Sequence, residues 1–70
     1  QLSEGKLEAF DRAVAQDPMN PQVHYNRGAL FGNLGRYDEA IRAFRRALEC
    51  DPGFDKARLA LEQIRVMKNN

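Results

Sequence analysis

Apolar residues recur along this chain at spacings of three and four, the signature of helices that bury one face. Between Ser3 and Gln16 they fall at Leu7, Phe10, Ala13 and Val14. The segment opening at Tyr37 repeats the pattern with Ile41, Phe44, Ala47 and Leu48, and stops before Asp51-Pro52, because proline disfavours helical geometry in the residue before it. A last stretch, about Phe54 to Lys68, places Ala57, Ala60, Leu61, Ile64 and Met67 on one side. Charged residues fill the intervening positions. The pattern predicts helices over 3–16, from after Asn20 to near Leu34, from 37 to 50 and over 54–68. Their connections are short enough to require antiparallel neighbours.

The second helix is the least regular, because "GALFGNLG" sets three glycines in eight positions. A glycine in a helix interior costs roughly 1 kcal/mol relative to alanine. The boundaries nevertheless carry clear signals. Asn20 suits an N-cap, and Pro21 suits the first helical position, where a missing N–H is harmless. Gly35 suits the left-handed residue that commonly follows a helix. Asp38 and Glu39 suit the positive end of the third helix's dipole. Gly32 has no comparable duty.

A shift of 34 residues superposes "LEAFDRAVAQDP" on "IRAFRRALECDP", with Ala9, Phe10, Arg12, Ala13, Asp17 and Pro18 recurring as Ala43, Phe44, Arg46, Ala47, Asp51 and Pro52. Self-similarity at such a period marks stacked supersecondary units. The complete unit, "NPQVHYNRGALFGNLGRYDEAIRAFRRALECDPG", resembles a tetratricopeptide repeat (TPR). Gly28, Phe31, Ala40, Phe44, Ala47 and Pro52 meet the family pattern, while His24 stands in place of its tryptophan and Arg27 in place of its leucine. The resemblance covers the whole chain as one domain, 1–70: the second helix of a partial repeat (3–18), a complete repeat (20–53) and a following first helix (54–68).

The resemblance implies an all-α fold, a short right-handed solenoid of four antiparallel helices. It implies that Gly28, with Ala40 and Ala47 opposite, lets the second and third helices cross closely. Glu62 and Arg65 replace Gly28 and Phe31 one period later, and Lys6 replaces Ala40 one period earlier. A charged outer face suits a helix that caps a repeat array.

The resemblance further implies that first helices line a concave groove for a peptide or protein segment. Mapped onto this sequence, the groove face is Gln22, Tyr25, Asn26, Ala29, Gly32 and Asn33, continued by Lys56, Leu59, Ala60, Gln63 and Val66. Tyr25 and Asn26 are the expected contacts, to be tested by a double alanine variant that keeps its melting temperature. Ala29 and Gly32 are expected to leave a hollow for a partner's side chain. TPR domains of chaperone cofactors clamp a C-terminal carboxylate with Lys and Asn, then Asn, then Lys and Arg, on three successive first helices. Asn26 and Lys56 match that pattern, but Ala60 stands where its arginine would be and the first of the three helices has no counterpart. A complete clamp is not expected.

Charge and chemistry narrow the function. Eleven basic and ten acidic residues leave +1, too balanced to imply nucleic acid or an anionic membrane. Arg36, Arg42, Arg45 and Arg46 form the densest basic cluster, yet Asp38, Glu39 and Glu49 interleave with them, and Asp38–Arg42 and Arg45–Glu49 have helical pair spacing. Solvated convex surface is the expected reading. One histidine and one cysteine cannot assemble a zinc site or a catalytic pair, so no metal, cofactor or enzyme activity is expected. Cys50 is expected as a small buried hydrophobe and His24 as a partly buried packing residue. No run reaches membrane-spanning length and no targeting segment is visible in a chain that opens on Gln1 rather than methionine, so the compartment stays open, with a cytoplasmic setting favoured. The expectation is a non-catalytic protein-binding module. The alternative is a self-associating assembly element that pairs through exposed solenoid ends.

Overall fold

The computed structural model describes residues 2–70, with side chains from residue 5 onward. It contains helices α1 (Leu2–Gln16), α2 (Pro21–Asn33), α3 (Tyr37–Cys50) and α4 (Asp55–Asn69). These lie within a residue of the boundaries that the sequence pattern predicts. Asn20 caps α2 by accepting a hydrogen bond from the Gln22 backbone N–H at 3.0 Å, with Pro21 directly behind it. Gly35 takes φ +79°, and Arg36 N–H returns to the Phe31 carbonyl at 2.9 Å, so the chain reverses within one tight turn.

The helices pack in sequential pairs, α1 on α2, α2 on α3 and α3 on α4, with α2 also touching α4. The core is Leu7, Phe31, Ala40, Ala43, Phe44, Leu61 and Ile64, one cluster shared by all four helices. Ala47 and Ala57 are buried beside it. The alanines of α3 allow a close approach on two sides, because small side chains leave room for neighbouring rods.

One sequence-based expectation is corrected. Met67, expected on the inner side of α4, is 48% exposed, while Ala57, Leu61 and Ile64 are the residues that α4 buries. Gly28 is buried as expected, and the space a Cβ would need is taken by the Phe44 ring.

The period of 34 does not carry equal burial. Ala43, Phe44 and Ala47 are buried in α3, whereas Ala9 is exposed and Phe10 and Ala13 are half-buried in α1. Among the described residues α1 packs against α2 alone, so its remaining face has no covering helix.

Candidate functional site

The face assigned to a binding groove depends on α2 and α4 lying side by side. Two contacts hold them there. The Tyr25 ring stands edge-on to Phe54 at 5.8 Å between centroids, and tilts against Phe44 at 5.7 Å. Two turns further along α2, the Ile64 Cδ1 atom approaches Gly32 to 3.2 Å from the position of an added Cβ. Phe54 had no periodic signal to reveal it. One period earlier its position is Asn20, a polar cap, and Phe54 caps nothing with its side chain. At that position packing has replaced capping.

The expected groove residues divide into three kinds. Gln22, Asn33, Lys56, Leu59 and Gln63 are exposed, and Asn26 and Ala29 are half-buried. Gln22 and Asn26 form a pair on α2, the Gln22 side-chain N–H donating to Asn26 Oδ1 at 2.9 Å. That bond orients Asn26 and leaves its amide N–H group as the outward donor. Tyr25 is different, because its ring is structural: wedged between Phe44 and Phe54, it joins three helix segments. A double alanine variant at Tyr25 and Asn26 would therefore not keep its melting temperature, contrary to the sequence-based expectation. The hollow expected at Ala29 and Gly32 is also corrected at Gly32, where Ile64 fills the space from within the fold. Leu59 is 57% and Val66 60% exposed, two turns apart on α4.

The other singled-out residues have clear environments. His24 is 4% exposed, and its Nε2 lies 2.8 Å from the Pro18 carbonyl, where the N–H tautomer donates. Cys50 is half-buried rather than enclosed, and its thiol reaches the same carbonyl at 3.6 Å. The α1–α2 turn is thus tied to both α2 and α3 through one oxygen. Arg27 pairs with Asp11 of α1 at 2.8 Å and lies 4.9 Å from the Phe31 ring centroid, which Arg36 approaches at 4.9 Å from its own position. The family's leucine position is therefore held by a cation–π and ion-pair contact.

The ion pairs along α3 use other partners than the Asp38–Arg42 and Arg45–Glu49 pairs that the sequence offers. Glu39 takes Arg36 and Glu49 takes Arg46, both three residues apart, while Asp38 reaches across to Lys68 at the end of α4. Hydrogen bonding from Lys68, reinforced by its charge, holds the Asp38 carboxyl below the usual carboxylate range. The Arg36 guanidinium does the same for Glu39. Two clefts flank these pairs, one between α3 and the end of α4 and one lined by Leu7, Asp11, Arg27, Phe31 and Arg36. Neither is lined by the expected groove residues. Among the described residues no cluster of three metal-ligating side chains occurs, and no helix is long and apolar enough to cross a membrane.

Comparison with known proteins agrees with the helix pairing. Residues 21–54 match the family described as tetratricopeptide repeat, and residues 4–35 match a second description of the TPR repeat. A TPR repeat-containing thioredoxin of Arabidopsis thaliana is 34% identical over 58 residues, 83% of this chain and 8% of the relative. A tetratricopeptide repeat and J domain-containing co-chaperone of Fusarium oxysporum f. sp. lycopersici is 36% identical over 60 residues, 86% of this chain and 12% of the relative. The peroxisomal targeting signal receptor of Saccharomyces cerevisiae is 39% identical over 56 residues, 79% of this chain and 9% of the relative. The chain thus spans only 8% to 12% of the length of these relatives. What it shares with them is the repeat region, a non-catalytic element that generally mediates protein–protein interaction. With its helices paired in sequence and two overlapping matches spanning residues 4–54, this chain belongs to the tetratricopeptide repeat family.

Proposed function

We propose that this TPR module binds an extended or helical segment of a protein partner across the face shared by α2 and α4. The observation that carries the reading is the direct contact of the two helices through Tyr25–Phe54 and Gly32–Ile64. Gln22, Asn26, Ala29 and Asn33 then form a stripe at helical spacing on α2, beside Lys56, Leu59 and Gln63 on α4. Amide groups pair with both edges of a backbone, Lys56 supplies a cation, and Leu59 supplies apolar area. The names of two relatives, co-chaperone and targeting signal receptor, fit such a role. In this reading 3–18 completes an earlier repeat, 20–53 is one repeat, and 54–68 caps the array. The charges of Glu62 and Arg65, at positions one period after Gly28 and Phe31, support the capping role.

A peptide library displayed on phage tests the groove. Peptides selected on the wild type should lose affinity for an N26A/K56A/Q63A variant that keeps its helicity. Equal binding to both proteins would move the recognition surface elsewhere.

One observation favours self-association as the second reading. Exposed Leu59 and Val66 are the period equivalents of Tyr25 and Gly32, the residues through which α2 meets α4. Light scattering over a wide concentration range should then show association that an L59S/V66S variant lacks.

A further inference from the structure

Eight arginines are distributed along the chain, and most of those with a visible task hold a carboxylate: Arg27 on Asp11, Arg36 on Glu39, Arg46 on Glu49 and Arg58 on Asp55. Arg45 and Arg65 make no ion pair among the described residues. Both line the cleft of about 370 Å³ between α3 and the C-terminal turn of α4, together with Arg42 and Lys68. Arg45 and Arg65 come from different helices, so the convergence is tertiary and not a consequence of spacing along one helix. Asp38 is the one carboxylate on the lining, and Lys68 already holds it. Half-buried Ile41 adds an apolar contact to the same lining.

We propose that this α3–α4 cleft is a second docking site, separate from the α2–α4 face, for a carboxylate-rich segment of a protein partner. Four cationic side chains against one engaged carboxylate leave a local excess of positive charge on a nearly neutral module. Guanidinium groups without a fixed partner present planar N–H forks that match carboxylates. Ile41 provides a surface for the methylenes of a glutamate side chain. The charge pattern distinguishes an acidic peptide from nucleic acid. A phosphate backbone needs a continuous basic track, and here Asp38 lies within the cleft and interrupts any such track. The site does not depend on the groove reading, since none of the groove residues lines it.

The test is fluorescence anisotropy with a labelled oligoglutamate peptide at low ionic strength, with inorganic phosphate and single-stranded oligo-dT as comparison probes. The wild type should bind oligoglutamate, and added salt should weaken the binding steeply. An R45E/R65E variant should bind about tenfold more weakly, which matches the loss of two exposed charge pairs. R45A/R65A should fall between them. Both arginines are exposed, and circular dichroism checks that each variant keeps its helices. The N26A/K56A/Q63A groove variant should bind oligoglutamate as the wild type does, which separates the two sites. Absence of binding, or unchanged binding by R45E/R65E, overturns the proposal. Tighter binding of oligo-dT than of oligoglutamate overturns it in favour of nucleic acid, and a response to phosphate alone reduces it to a small-anion site.

Discussion

Gly28 and Phe44 share one volume. A Cβ on residue 28 would lie 2.7 Å from both Cδ1 and Cε1 of the Phe44 ring, closer than carbon atoms pack. The ring is only 3% exposed and has Tyr25 against it, so it has no free direction of retreat. The helix-breaking cost of glycine is offset here by the burial of a whole aromatic ring, which a side chain at 28 would push out.

Gly28→Ala is therefore expected to destabilise the fold. Overpacking costs about 1–3 kcal/mol, and the helix propensity gained returns about 1 kcal/mol. The expected net loss of up to about 2 kcal/mol should appear as a lower thermal midpoint. Adding Phe44→Leu, which shortens the obstructing group, should cost less in the G28A background than in the wild type. Strict additivity of the two changes in urea melts would refute the shared volume.

The other two glycines of the motif should respond differently. At Gly32 the nearest atom is the tip of a flexible isoleucine chain at 3.2 Å, so Ile64 can yield by a small rotation. Gly32→Ala should be neutral or stabilising by up to about 0.5 kcal/mol, since the propensity gain outweighs a slight adjustment. Gly35 has open space around it, yet its φ of +79° disfavours any Cβ. Gly35→Ala should cost about 1 kcal/mol despite touching nothing. Three melting curves decide whether this order holds.

Tyr25 should prove a packing residue before it is a contact residue. Tyr25→Ala removes a ring from between Phe44 and Phe54, and is expected to cost about 2 kcal/mol or more. Tyr25→Phe keeps both ring contacts and should melt within about 0.5 kcal/mol of the wild type. If a bound peptide loses affinity with the phenylalanine variant, the hydroxyl is what the partner reads.

Acid should loosen the α3–α4 end first. Asp38 and Glu39 have lowered pKa values in the folded chain, Asp38 through hydrogen bonding from Lys68 and Glu39 through hydrogen bonding from Arg36. A carboxylate whose folded pKa lies below its unfolded one adds stability above the unfolded value. That contribution disappears as pH falls through the folded value. Thermal midpoints should thus hold steady near neutrality and decline below about pH 4. A D38N/E39Q variant should melt lower at neutral pH and show a shallower decline in acid. An unchanged acid profile in that variant would show that the pairs contribute nothing to stability.

Helix number, boundaries and pairing were legible in this sequence because they rest on local chemistry and on repetition. Asn20, Pro21, Gly35 and Pro52 punctuate the chain whatever surrounds it, and a period of 34 announces stacked units. Burial was legible only where a neighbour is guaranteed. Phe10 and Phe44 are identical residues at equivalent positions, but one is half-buried and the other enclosed, since α3 packs between α2 and α4 whereas α1, among the described residues, packs against α2 alone. Tertiary packing alone decided that Phe44 occupies the void at Gly28, that Ile64 fills the space at Gly32, and that Tyr25 serves the core. It also drew Arg45 and Arg65, twenty residues apart, to one cleft. Local signals reach about one helical turn, whereas the filling of a cavity or the meeting of two charges depends on how whole helices cross, which no single segment encodes.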